Sequence, residues 1–166
     1  MDICIALHNL SLATEELGDH QAAANYAERC IAVCRAIGYQ LGHANSLELL
    51  GSLAAVQGKL AEARDYIQQS LELSRAIGNR SNEAFALYQL GGLHFQLGDI
   101  PAALNSLEAA LDVAKQLGER WYAALALRLT AEVRRSVGDA QGARQKLREG
   151  IEIVCSFRSS AVLVRY

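Results

Sequence analysis

The chain is 166 residues long, 51% apolar and 20% charged, with a formal net charge of −2 at pH 7. That composition excludes a disordered polymer and fits one soluble folded domain. It also argues against direct nucleic-acid binding, which needs a surplus of Lys and Arg to neutralise phosphates. The total hides an asymmetry: residues 1–119 carry seven basic against fourteen acidic side chains, whereas 120–166 carry nine against four. The C-terminal quarter is therefore cationic and suits an acidic partner segment. Cys4, Cys30, Cys34 and Cys155 are too few for a disulfide-stapled secreted scaffold, and Met1-Asp2-Ile3 gives no positive start to a signal peptide. No apolar run approaches the ~20 residues that span a bilayer. The expected setting is the reduced cytoplasm, with no membrane contact.

Glycine spacing organises everything that follows. Gly18, Gly58, Gly98 and Gly138 recur every forty residues, and Gly38, Gly78 and Gly118 recur at the same interval on an offset of twenty. With no strand-like alternation between them, these glycines read as left-handed stops at the ends of helices. The predicted helices, in chain order, are 2–17, 20–37, 40–57, 60–77, 81–97, 100–117, 120–137 and 140–157. Asp19, Asp99 and Asp139 follow their glycines as side-chain caps for the second, sixth and eighth. Lys59 leaves the fourth with a weaker start, and Pro101 fits the first turn of the sixth. Between the stops, apolar residues step by three and four, as in Leu60, Ala63, Ile67 and Leu71 or Ile100, Ala103, Leu107 and Leu111. Ala23, Ala63, Ala103 and Ala143 mark places where neighbouring helices approach closely. Each forty-residue unit is a helical hairpin.

Leu87-x-x-Leu90-Gly91-x-x-His94, followed by Ala103, Leu107 and Ala110, resembles the tetratricopeptide repeat consensus of Trp-x-x-Leu-Gly-x-x-Tyr, then Ala, an aromatic and Ala. The second unit repeats it with Leu47, Leu50, Gly51, Ala54, Ala63, Ile67 and Ser70. The first is looser, with Ser11, Ala27 and Cys30 at matching places, and the fourth is loosest, with Ala131, Leu147 and Gly150. The period is forty where the commonest form has about thirty-four, and Arg35, Arg75, Lys115 and Cys155 replace the closing proline. This long form is similar to the arrays of polarity adaptors, kinesin light chains and bacterial regulators. The resemblance implies an all-α fold: a right-handed α-α superhelix of four hairpins at about 1–38, 39–78, 79–118 and 119–157. Residues 158–166 are then a C-terminal tail or the start of a truncated fifth repeat. Open repeat ends would favour a homo-oligomer, because terminal repeats need polar caps.

In such arrays the first helix of each hairpin lines a concave face that binds a partner protein or peptide. The resemblance puts His8, Asn9 and Leu12 on that face, with Asn45, Glu48 and Ser52 from the second unit, Phe85, Tyr88, Gln89 and Phe95 from the third, and Arg128, Glu132 and Arg135 from the fourth. It implies a face grading from acidic or amide-rich to aromatic to basic, suited to a peptide or helix with apolar anchors and acidic flanks. Phe85, Tyr88 and Phe95 would anchor it, and Arg128 and Arg135 would hold carboxylates. The structural alternative is that the aromatics are core and the arginines merely solvated. An alternative function is a ligand- or peptide-sensing arm of a bacterial transcription or signalling protein. No catalytic motif is present: there is no nucleophile elbow or phosphate loop, and the adjacent Glu15 and Glu16 point to different helix faces. No cofactor is implied. Cys4, His8, Cys30 and Cys34, spaced by four on two antiparallel helices, make a candidate zinc set, although buried free cysteine is also an ordinary apolar filler.

Overall fold

A computed structural model describes the backbone of residues 1–162 and the side chains of residues 1–155. Among these residues the elements are helices alone: α1 Asp2–Glu16, α2 His20–Ile37, α3 Gln40–Val56, α4 Leu60–Ala76, α5 Arg80–Gln96, α6 Ile100–Leu117, α7 Arg120–Ser136 and α8 Ala140–Val162. Their limits fall within one residue of expectation from α1 to α7. The seven spaced glycines all adopt φ between 69° and 84°, where a side chain's Cβ would crowd the backbone. After α2, the Gly38 N–H donates to the Arg35 carbonyl at 3.4 Å and the Tyr39 N–H to the Cys34 carbonyl at 2.8 Å. These bonds satisfy carbonyls that the last helical turn leaves unpaired.

Helix α8 runs five residues past its expected end at 157. The twenty-residue spacing calls for a glycine at 158, where the sequence has Arg158, so no left-handed stop interrupts the helix. The expected tail or fifth-repeat start is helix as far as Val162, and residues 163–166 lie outside the described residues.

Three starts are capped as their sequence dictates. Asp19 accepts from the Ala22 N–H at 3.0 Å, Asp99 from the Ala102 N–H at 3.0 Å and Asp139 from the Gly142 N–H at 2.8 Å. At α4, Lys59 holds a similar backbone conformation but makes no side-chain cap bond. Lys59→Asp is therefore expected to raise stability by about 0.5–1 kcal/mol, read as an increased urea midpoint with an unchanged slope.

The chain divides into two compact units, residues 1–86 and 87–166, with the boundary inside α5. In the first unit α1 packs on α2, α2 on α3 and α3 on α4. Its core joins Ala23, Ala27 and Ile31 of α2 to Leu47, Leu50 and Leu53 of α3. The hairpins close tightly at matching positions. A Cβ added to Gly51 would lie 2.5 Å from Ile67 Cγ1, and at the equivalent place in the first hairpin the Ser11 hydroxyl donates to the Ala23 carbonyl at 2.6 Å. In the second unit α6 packs on α7 and α7 on α8. Its core holds Ala103, Leu107 and Val133, with Tyr88, Phe95, Ile100, Leu104 and Leu129 packed around them. Here Gly91 repeats the close approach, 2.6 Å from the Leu107 Cγ for an added Cβ. Among the described residues no helix is long and apolar enough to cross a membrane.

Candidate partner-binding surface

The predicted contact residues divide between the two units. On α1, Asn9 and Leu12 are exposed and His8 is half-buried. Burial holds the His8 imidazole below its ordinary pKa, and its Nδ1 is buried without a hydrogen-bond partner among the described residues. The ring is therefore neutral near pH 7. On α3, Asn45 and Ser52 are half-buried, and the Asn45 side-chain oxygen accepts from the Asn82 amide of α5.

Glu48 departs from expectation. It is buried, and its carboxyl meets the Ser70 hydroxyl of α4 at 3.2 Å. It serves the α3–α4 contact rather than a partner. Without it, the predicted contacts on α3 are the uncharged Asn45 and Ser52. The sequence placed Glu48 by its offset along α3, but that face turns inward where α4 approaches.

In the first unit Phe85 is half-buried. In the second, Tyr88, Gln89 and Phe95 are half-buried on α5, with Tyr88 and Phe95 resting on the Ala103–Leu107–Val133 core. Each of these two aromatics packs one flank on the core and stays partly exposed. On α7, Arg128, Glu132 and Arg135 are exposed, and Arg128 sits 3.8 Å from Glu132. Such a solvated pair contributes at most about 1 kcal/mol.

Antiparallel packing of α1 and α2 brings the predicted cysteines together. The Cys30 thiol donates to the Cys4 carbonyl at 3.3 Å and lies 3.8 Å from the Cys34 sulfur, with Leu7, Tyr26, Val33 and Tyr39 around them. Burial pushes the Cys34 thiol well above its ordinary value, reinforced by its thiol neighbours. Metal ligation needs thiolates, and burial disfavours the thiolate of Cys34. Among the described residues no group of three or more His, Cys, Asp or Glu is arranged to hold a metal ion.

One feature escaped the sequence reading. An apolar cavity of about 310 Å³ opens between α7 and α8, lined in part by Arg128, Lys146, Leu147, Ile151 and Val154. Leu147, a consensus match in the fourth unit, is exposed. The signal was present in the sequence, since the positions matching Leu147 and Ile151 in the third hairpin, Leu107 and Leu111, are apolar.

Profiles of the tetratricopeptide repeat match residues 42–116 and 82–156, and a further one matches residues 4–37. The chain belongs to the tetratricopeptide repeat family, with the all-α helical-repeat fold of that family. No curated protein matches it in sequence. Among solved structures it is similar to the apo form of RapI, with a TM-score of 0.86 and 16% identity over 96% of this chain and 58% of that one. A Rap protein complexed with competence and sporulation factor gives 0.87 and 15% over 98% and 46%. A signal transduction ATPase with a tetratricopeptide repeat sensor, from Pyrococcus horikoshii, gives 0.79 and 17% over 95% and 25%. The chain spans 58% or less of each of these three, and at such identities the likeness is one of fold.

Proposed function

We propose that this chain is a non-catalytic binding module that holds a peptide or helix of another protein against its first-helix faces. The observation that carries this reading is the second unit's pairing of aromatic and cationic side chains. Tyr88 and Phe95 are held by the core beneath them, while Arg128 and Arg135 stand exposed on α7. Aromatics fixed in advance lose little conformational entropy when a ligand covers them. Guanidinium groups add bidentate bonds to carboxylates. The ligand class is therefore a polypeptide with apolar anchors and acidic flanks. Family membership supports the reading, as does the similar Rap chain solved in complex with competence and sporulation factor. A cytoplasmic setting suits the buried free thiols of Cys4, Cys30 and Cys34.

Selection of displayed random peptides on the chain, followed by calorimetric titration, tests the proposal. Enriched peptides are expected to be acidic and apolar. The Arg128→Glu, Arg135→Glu double variant is expected to bind them at least about tenfold more weakly, equivalent to about 1.4 kcal/mol, with Arg64→Glu on α4 binding as wild type. Equal affinity for the double variant, or no enrichment of such peptides, would discard it. A second reading, a sensing arm of a larger regulator, is supported by the similar Pyrococcus horikoshii ATPase, whose repeats are described as a sensor. It requires the bound peptide to alter a fused effector, and a scaffold does not.

A further inference from the structure

The repeat supplies its own template for what covers a hairpin. Ala27, Ile31 and Cys34 on α2, and Leu107, Leu111 and Ala114 on α6, are all 8% exposed or less. The next first helix packs on each: α3 on α2 and α6 against α7. The equivalent residues of α8 are Leu147, Ile151 and Val154, and they are 46%, 62% and 55% exposed. They line the apolar cavity beside α7. That surface has the chemistry and spacing of a seat for a first helix.

The complementary half lies on α1. Ser46, Leu50 and Leu53 of α3, and Ala126, Thr130 and Val133 of α7, are buried. Forty-residue register makes Ala6, Leu10 and Ala13 their counterparts on α1, and all three are exposed, with Ile3 extending the same stripe. Spacing of three, four and three keeps the four on one helix face. Charge matches as well. The charged residues lining the cavity, Arg128 and Lys146, are both cationic, whereas residues 1–28 contain Asp2, Glu15, Glu16, Asp19 and Glu28 and no Lys or Arg.

We propose that a second copy of this chain seats its α1 in the groove between α7 and α8, joining copies head to tail. The incoming helix repeats the α2–α3 arrangement, where Gly42 at the start of α3 lies beside the Cys34 sulfur near the end of α2. Asp2 of the incoming copy then approaches Val154, while Glu15 and Glu16 are directed towards Arg144 and Lys146. The contact uses different surfaces on the two copies, so it is heterologous, and one union leaves a free seat and a free helix. Assembly therefore continues beyond a dimer. The proposal shares Arg128 with the peptide-binding reading but rests on the apolar faces of α1 and α8, which that reading does not use.

Sedimentation velocity on the 166-residue chain, from micromolar to near-millimolar concentration, tests it with Leu10→Glu and Ile151→Glu. The wild type is expected to exceed dimer mass as concentration rises. Each variant alone is expected to be monomeric, and an equimolar mixture to form a one-to-one dimer and no more, because one intact helix and one intact seat remain. Dimer in the mixture also shows both variants to be folded. Ala13→Glu and Leu147→Glu repeat the test at separate points, and circular dichroism verifies helix content. A wild type monomeric throughout, a Leu10→Glu chain associating like wild type, or a mixture of folded variants that stays monomeric overturns the proposal. Leu10→Glu association would instead indicate contact between two α8 faces.

Discussion

Glu48→Gln is expected to stabilise the chain by on the order of 3–5 kcal/mol at pH 8 and to change its stability little near pH 5. The cause is a carboxyl group buried in the middle of α3. Removal from water pushes its pKa from the ordinary 4.5 up to about 8, and the hydrogen bond with Ser70 opposes that shift by less. Ser70 lies 3.0 Å from the Ala44 carbonyl and 3.2 Å from Glu48, and its one proton can serve only one of them at a time, so it compensates the buried carboxylate weakly. Between pH 4.5 and about 8 the folded chain keeps a proton that the unfolded chain has released. Stability supplied by that proton is complete at low pH and is lost as pH rises through this window. Glutamine has the shape of the neutral acid and no charge to bury. Urea unfolding of both proteins at pH 5 and pH 8 reads the effect as a difference of differences, so other titrating groups cancel. A gap between the two proteins that is the same at both pH values would show that Glu48 is ionised in the folded state.

The second large effect is a coupling rather than a single loss. Leu107→Ala is expected to cost about 3–4 kcal/mol, because a fully buried side chain leaves a cavity among α5, α6 and α7. Gly91→Ala alone gains about 1 kcal/mol of helix propensity but drives a methyl group to within 2.6 Å of Leu107 Cγ. Overpacking of this kind costs about 1–3 kcal/mol. In the double variant the new methyl group enters space that the leucine has vacated. The pair is therefore expected to be less destabilised than the sum of the singles, with a coupling of about 1–3 kcal/mol. Equilibrium denaturation of all four proteins closes the cycle. Strict additivity would mean that the α5–α6 approach is looser than the structure has it.

Local chemistry explains which parts of the fold were legible. A glycine in the left-handed region, a carboxylate one residue later and an apolar step of three or four each act within a few residues, so the helix limits could be read directly. Asn79 shows the limit of that reading: its side chain caps the Asn82 N–H at 3.0 Å, and α5 begins one residue before its expected start. Arg158 shows it in reverse, because a missing stop is harder to notice than a present one. The contact surface was less legible, since exposure of a first-helix residue depends on a helix about twenty positions away. Glu48 and Tyr88 occupy equivalent places forty residues apart. One is buried against α4, whereas the other keeps a flank in water. The cysteine cluster was legible as a meeting of side chains, but its apolar surroundings, which decide its chemistry, come from α1, α2 and Tyr39 together.

The even spacing of left-handed glycines also bears on how such a chain is inherited. Any two glycines forty residues apart, such as Gly18 and Gly58 or Gly38 and Gly78, end their helices in the same backbone conformation. A duplication or deletion running between them rejoins a helix end to a helix start, with every apolar stripe still in phase. Unequal crossing-over can thus lengthen or shorten the gene by whole hairpins while sparing the junctions, and selection is left to act on the number of repeats.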